Sequence, residues 1–433
     1  MRPEVEKLTA LANAPLDGLQ SPNTPCAETA HLHTLPPLAQ EPNILARFAA
    51  TVCASGVVGE ERNAKLIYLA MTSRLLAEPV SLAMKGTSSS GKSFTTEMTL
   101  RFFPIEAYIS MTAMSERALV YMKEPFAHRT LVIFEAVALR EQREKNESNL
   151  TAYLVRSLLS EGRISYPVTV HDKQEGFVTK TIVKEGPTNL ILTTTATQLH
   201  AENETRLISL PTNDSADQTH AVLLKLAEGV PPAIDFGEWH RLQDWLTEAE
   251  HRVVIPYARD LAERIPPVAV RLRRDFKSIL RLIETHAILH QYSRERDGQG
   301  RIVATDADYL TVRELVADLI AEGIGATVPP SVRETVEAVR ALDTAGVGVT
   351  VKALCDRLKL DRSATQRRVQ AAREPGYLVN LEDKRGRPAR YTLGDALPDE
   401  VELLPSAVSE GGVQVCSDRR GGNKEEAGTW LEL

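Results

Sequence analysis

The sequence predicts an α/β core with a mostly parallel sheet, then an all-helical region and a small basic module of mixed helices and strands. Three observations predict this. Strand-like apolar runs at 80–84, 107–112, 130–134 and 188–194 alternate with helix-competent runs at 93–102, 115–122 and 149–161, the order that builds a parallel sheet through crossover helices. The first strand runs directly into a glycine-bounded loop of eight residues that opens a helix. Charge is split near the C-terminus: residues 346–394 carry 11 Lys/Arg against 5 Asp/Glu, and residues 395–433 carry 3 against 9. The net charge of −7 conceals both a basic module and an acidic tail.

The loop is the most specific element. Gly86, Thr87, Ser88, Ser89, Ser90, Gly91, Lys92 and Ser93 spell GxxxxGK[ST] between a strand and a helix that starts at Phe94. In that context the loop N–H groups and the helix N-terminus form an anion site. Lys92 can reach the β- and γ-phosphates of a nucleotide, and the Ser93 hydroxyl can ligate Mg²⁺. The expected ligand is ATP with Mg²⁺. A catalytic carboxylate is expected at the end of a neighbouring strand, and Glu135 follows the apolar run 130–134, 43 residues after Lys92. The residue before it is Phe134 where an Asp is usual. Glu135 therefore either acts alone as base, with Ser93 and water holding the metal, or takes the metal itself.

Threonines 193–195 end the next apolar run. Thr194 is the residue expected to meet the γ-phosphate or the attacking water. Arg206 lies shortly beyond, in a stretch with Glu202 and Glu204. It can either reach a neighbouring subunit's nucleotide as an arginine finger or form an ordinary salt bridge with one of those carboxylates.

One element interrupts the alternation. Residues 163–170 and 176–184 are β-rich and flank the polar stretch 171–176, so a β-hairpin is expected between the helix 149–161 and the strand 188–194. Residues 216–330 are helix-patterned, notably 239–265, 275–291 and 306–321, with Pro266-Pro267 and Pro329-Pro330 as breaks. The basic region then reads as a helix over 331–345, a second over 351–358, a short turn, and a third over 362–373 carrying Thr365, Gln366, Arg367 and Arg368. Two strands, 376–380 and 389–393, flank Lys384, Arg385 and Arg387. That is the plan of a winged helix, with a recognition helix and a basic wing that follow DNA or, alternatively, a protein partner.

Taken together these residues resemble the AAA+ P-loop ATPases. The likeness is strongest to the branch with a β-hairpin ahead of the sensor-1 strand, which includes minichromosome-maintenance helicases and related mobile-element replication ATPases. The segment 274–287 is similar to the sensor-2 helix of that branch. The resemblance implies that Arg274 contacts the γ-phosphate, with Arg271 and Arg273 as competitors, and that the hairpin points into a pore. Lys173, Lys180 and Lys184 would then contact the DNA backbone, unless the hairpin is a surface ribbon of solvated lysines. It implies a ring, by analogy a hexamer, with DNA as the partner.

The domain plan expected is an N-terminal arm (1–60), an ATPase core (61–215), an α-helical lid (216–330), the winged helix-turn-helix (331–397) and an acidic, disordered tail (398–433). Composition excludes several other classes. The 433 residues suit two to four domains. Cys26, Cys53, Cys355 and Cys416 have neither disulfide-framework nor zinc spacing, and the histidines do not cluster. Residues 1–7 lack the basic-then-apolar plan of a signal peptide. No run approaches the about 18 apolar residues of a membrane helix. A cytoplasmic protein with no membrane association is expected.

Overall fold

The computed structural model describes residues 35–135, 150–172, 176–196, 201–325, 328–344, 346–382, 387–398 and 402–408. A five-stranded sheet forms the centre. Its strands are β1 (Leu82–Lys85), β2 (Tyr108–Met111), β3 (Arg129–Ile133), β6 (Thr188–Thr194) and β7 (Ile208–Pro211), in the order β2-β3-β6-β1-β7. All four pairings are parallel. β6 is buried along its whole length, as a central parallel strand covered on both faces should be. It separates β1 from β3, so the ends of those two strands flank the tip of β6.

Two cores cover the sheet. On one side Leu119, Phe126, Leu131, Leu154, Leu158 and Leu190 pack together, drawing on α4 (Ala118–Tyr121) and α5 (Leu150–Glu161). Elsewhere an aromatic cluster forms from α1 (Ile44–Ala54), α2 (Glu61–Thr72), the end of α3 (Lys92–Leu100) and α8 (Gly237–Glu248). Phe48 lies 4.4 Å from Tyr68 and 4.7 Å from Phe102, and Phe102 lies 5.1 Å from Trp239. Truncating any of these buried rings to alanine would cost about 3–5 kcal/mol.

An antiparallel pair, β4 (Arg163–Asp172) with β5 (Gly176–Glu185), leaves the sheet between α5 and β6. Its base is held by Ile164, Tyr166 and Ile182 against the first core. Beyond it come α6 (Ala201–Glu204), β7, α7 (Ala216–Ala227), α8, β8 (Val253–Val254), α9 (Ala258–Arg264), α10 (Leu272–Leu289), β9 (Ile302–Val303) and α11 (Asp306–Gly325). The C-terminal module has three helices, α12 (Pro330–Leu342), α13 (Val351–Leu358) and α14 (Arg362–Arg373). They pack on a small antiparallel sheet of β10 (Val349–Thr350), β12 (Arg390–Leu393) and β11 (Leu378–Asn380), around their own core of Val336, Val339, Leu354, Val369 and Leu378.

Within the N-terminal segment the 3₁₀ turn Pro37–Gln40 and α1 bury Leu38, Ile44 and Phe48, and Phe48 completes the aromatic cluster. Three expectations are corrected. The expected helix 239–265 is broken, since Val253 pairs in parallel with Ile302 and draws a short strand into the helical region. The helix expected over 115–122 is a single turn. The tail expected from 398 contains a packed stretch: Leu403 and Leu404 are buried, Tyr309 Oη donates to Pro405 O at 2.6 Å, and Arg313 Nε donates to Leu404 O at 3.1 Å.

Candidate functional site

The phosphate-loop sequence lies where β1 ends and α3 begins. Gly91 takes the left-handed conformation (φ 82°) and no side chain caps α3, so the first-turn N–H groups face outward and suit an anion. Gly86 is required by close approach: a Cβ there would stand 1.9 Å from Thr212 Oγ1. Thr212, at the end of β7, bonds Ser90 Oγ at 2.9 Å and donates its N–H to Lys85 O at 2.9 Å. The strand that the sequence reading missed therefore supports the loop. Lys92 is buried, and its ammonium donates to the carbonyls of Gly86 and Thr87 and to Ser90 Oγ. Burial pulls its pKa down, and the Glu135 carboxylate acts in the opposite sense. That coupling ties the loop to the end of β3.

Glu135 itself is exposed and takes a left-handed backbone (φ 53°), with its N–H donated to Thr193 Oγ1 at 3.0 Å. Thr193 is thus the threonine that touches Glu135, and its neighbour Thr194 is the one expected at the γ-phosphate or the attacking water. Thr194 Oγ1 accepts the N–H of Ala196 at 3.0 Å and closes the turn after β6. Adjacent residues of a strand face opposite ways, which is why only one of the pair can serve the acid.

A cavity of about 460 Å³ opens beside the loop. Val57, Val58, Phe94, Gln218 and Val222 are among the residues that line it, with residues 87–91 of the loop. The motif spelling gave no signal for Val57, Val58 or α7. Buried Glu60 orders this wall by accepting from Asn213 N (2.9 Å) and Asn63 Nδ2 (2.5 Å), and burial raises its pKa. Ser93 is half-buried in the first turn of α3. An uncapped helix start, a lysine, a hydroxyl and a nearby carboxylate make a donor set that suits a magnesium–polyphosphate.

Arg206 and Arg274 lie elsewhere. Both line a cleft of about 520 Å³ with Val80, Pro187, Thr188, Lys277 and Arg281. Val80 precedes β1 and Thr188 begins β6, so this cleft sits at the N-terminal ends of the parallel strands, opposite the phosphate loop. At about 3.3 Å per residue, the length of β6 alone sets the two ends roughly 20 Å apart. Neither guanidinium spans that within one chain. Arg206 Nε donates to Ser160 Oγ, and Arg274 donates to Thr205 Oγ1. Glu204, one of the suggested salt-bridge partners of Arg206, pairs with Lys85. Of the competitors, Arg271 is buried against Asp275 (3.1 Å) and Arg273 lines a separate small groove.

In the C-terminal module α13 and α14 meet at Lys359 (φ 54°), and Asp361 caps α14 by accepting from Ser363 N and Ala364 N. Gln366 and Arg367 are exposed along a groove beside Tyr391. Arg368 instead pairs with Glu334 of α12 at 2.7 Å, and Thr365 is buried, bonded to Asp361 O. Arg387 stands 3.7 Å from Glu382; Lys384 and Arg385 lie outside the described residues. On the β4–β5 ribbon Lys180 is exposed, whereas Lys184 turns inward to Met122 O and the Phe126 ring. Lys184 thus anchors the ribbon's base. Lys173 lies outside the described residues.

No family model matches the sequence, and no curated protein matches it. Among solved structures, the fold is similar to a full-length MCM homolog from Methanopyrus kandleri, with a TM-score of 0.43 and 13% identity over 70% of this chain and 63% of that one. It is also similar to the Aeropyrum pernix ORC1 protein in complex with DNA, with a TM-score of 0.26 and 14% identity over 84% of this chain and 95% of that one. The chain spans less than two thirds of the first of these. Among the described residues no single helix is long and apolar enough to cross a membrane.

Proposed function

We propose that this chain is a DNA-acting AAA+ ATPase, a helicase or replication-initiation motor of a mobile element. The observation that carries the reading is the convergence of the phosphate loop, Glu135 and Thr193 at one end of a parallel sheet, in a chain that also bears a basic C-terminal module of three helices on a small antiparallel sheet. Gly86 to Phe94 would cradle the phosphates of ATP, and Ser93 with water would hold Mg²⁺, which supplies charge neutralisation at the terminal phosphates. Glu135 is the proposed base, oriented by its backbone bond to Thr193. Lys92 first has to leave the Gly86 and Thr87 carbonyls, so loading the site re-aims its ammonium.

Arg206 and Arg274 act in this reading on the nucleotide of a neighbouring copy, because each is a strand's length from its own. That requires a ring or filament built head to tail. Gln366 and Arg367 on α14, with Arg387, Lys384 and Arg385 in the wing, are the proposed DNA contacts of the module. Lys173 and Lys180 are those of the ribbon.

A second reading, an ATP-switched DNA-binding regulator or helicase loader, is favoured by one observation. Phe134 occupies the place where a metal-holding aspartate is usual, which suits slow turnover. A forked-duplex assay separates the two readings. Strand separation with DNA-stimulated hydrolysis supports the motor. Protection of one DNA site with no unwinding supports the switch, and no change in DNA affinity on neutralising Arg367 and Arg387 would sink both.

A further inference from the structure

A triphosphate accounts for only part of the cavity beside the phosphate loop. Besides residues 87–91 its walls carry Val57, Val58, Phe94, Val222, Leu223 and Leu226. Leu223 is 59% exposed and Leu226 70%, and α7, which bears both, buries none of its twelve residues. Exposed apolar side chains gathered at a concave site mark a ligand groove. The volume of about 460 Å³ lies within the range of small-molecule pockets. The part of a nucleotide that suits such walls is its base, a flat ring with polar edges.

One amide on these walls is held so that it can read such an edge. The charged groups Glu60 and Lys225 are committed within the chain, Glu60 to Asn213 N and Asn63 Nδ2 and Lys225 to Glu228. Gln218 lies one helical turn before Val222 on the same side of α7. Its Nε2 donates to Val58 O, and only the NH₂ end of a carboxamide can do so, which fixes the direction of the group. Oε1 is left as an acceptor, to which nothing among the described residues donates. The fit is close: a Cβ on Gly59, whose φ is 66°, would stand 2.0 Å from Oε1. A free glutamine could turn over and read either a donor or an acceptor. This one is kept from turning by Val58 O.

We propose that Gln218 selects the purine: Oε1 accepts from the 6-amino group of adenine and rejects a base with a carbonyl at that position. There two acceptors would face each other, and a site built to bond an N–H discriminates strongly against a ligand that lacks it. The proposal rests on the nucleotide reading above and adds the residue that chooses the base.

The test is calorimetric titration of the full chain, with Mg²⁺, by the 5′-diphosphates of adenosine, purine riboside and inosine. These share sugar and phosphates and differ at the edge Gln218 would read. Wild type should bind the adenosine compound tightest, purine riboside about 3–10-fold more weakly and inosine at least about tenfold more weakly. In Gln218→Leu the three should fall within about threefold of one another. Gly59→Ala, which pushes the amide aside with Gln218 intact, should flatten the series in the same way.

Equal affinities across the series in wild type would overturn the assignment, and that arm needs no variant to fold. A folded Gln218→Leu that keeps the wild-type ratios would overturn it too, since loss of a merely structural bond weakens all three ligands alike. A wild type that binds none of the three would remove the nucleotide reading itself, and the choice of base with it.

Discussion

The two ends of the central sheet are built on different principles. At the C-terminal end the binding groups are backbone N–H donors, one buried lysine and a carboxylate, all held by local bonds among Gly86, Ser90, Thr193 and Thr212. At the N-terminal end the groups are long guanidinium side chains lining a cleft whose walls come from α5, β6 and α10. The first end is preorganised for an anion and sets one buried lysine, Lys92, in the loop itself. The second is rich in cations but is far from any phosphate the same chain could hold. In the proposed reading each end supplies what the other lacks, since a transition state that spreads charge over phosphoryl oxygens calls for both kinds of group.

The largest effect should come from forcing the ends of different chains to cooperate. Lys92→Ala and Arg206→Ala are each expected to abolish ATP hydrolysis. Mixed in equal amounts they should regain a measurable fraction of wild-type turnover, because some junctions pair an intact loop with an intact arginine. If a phosphate-release assay finds the mixture as inactive as its parts, the two ends do not act across an interface. Next in size, Glu135→Gln should slow turnover by about 10²–10⁴-fold while leaving equilibrium ATP binding close to wild type. A wild-type rate would place the base elsewhere.

A pair of neighbouring arginines sharpens the comparison within one helix. Arg271 is buried against buried Asp275, whose pKa is raised because burial outweighs the guanidinium. Breaking that pair with Arg271→Met should lower stability by about 3 kcal/mol, read as a shift in the urea midpoint. Arg274, exposed at the cleft, should tolerate the same change with little effect on stability and a large loss of turnover. The reverse pattern would exchange their roles.

Which of these features were legible in the sequence depends on how local their causes are. The loop, β6 and the β4–β5 ribbon could be read because glycine spacing, β-branched runs and a polar break are local signals. β7 was missed: four residues ending in Pro211 look like a breaker, and they become a strand only by pairing with β1. Thr193 could not be told from Thr194 by composition, since only the direction of the side chain separates them. Arg368 reads as a DNA contact until Glu334 on another helix is brought within 2.7 Å. α1 is capped by Asn43, which accepts from Ala46 N at 2.8 Å, but a single cap is a weak signal, and the burial of Phe48 that holds the helix in place depends on partners distant in sequence.

The smallest expected effect is on pH, and it should fall on the nucleotide end alone. α1 leads into Val57 and Val58, and its first residue is held by the helical region: Ile44 N donates to His290 Nε2 at 3.1 Å, while His290 Nδ1 donates to His286 O at 3.0 Å. Both ring nitrogens are committed in the neutral form. Burial first, then neighbouring His286, push the pKa of His290 down to about 3. Because the folded value lies below the unfolded value of about 6.5, this contribution is fully present above pH 6.5 and declines as the pH falls, by about 2 kcal/mol at pH 5. Asp308 nearby, held low in the folded state by His286 and Arg294 despite its burial, adds its own loss only below about pH 4. The guanidinium groups of the opposite cleft do not titrate in this range. Thermal melts between pH 7.5 and pH 5 should therefore show a falling midpoint in wild type and a flatter profile in His290→Gln, which keeps an acceptor for Ile44 but cannot gain a proton. A slope unchanged by that substitution would assign the loss to groups other than this imidazole.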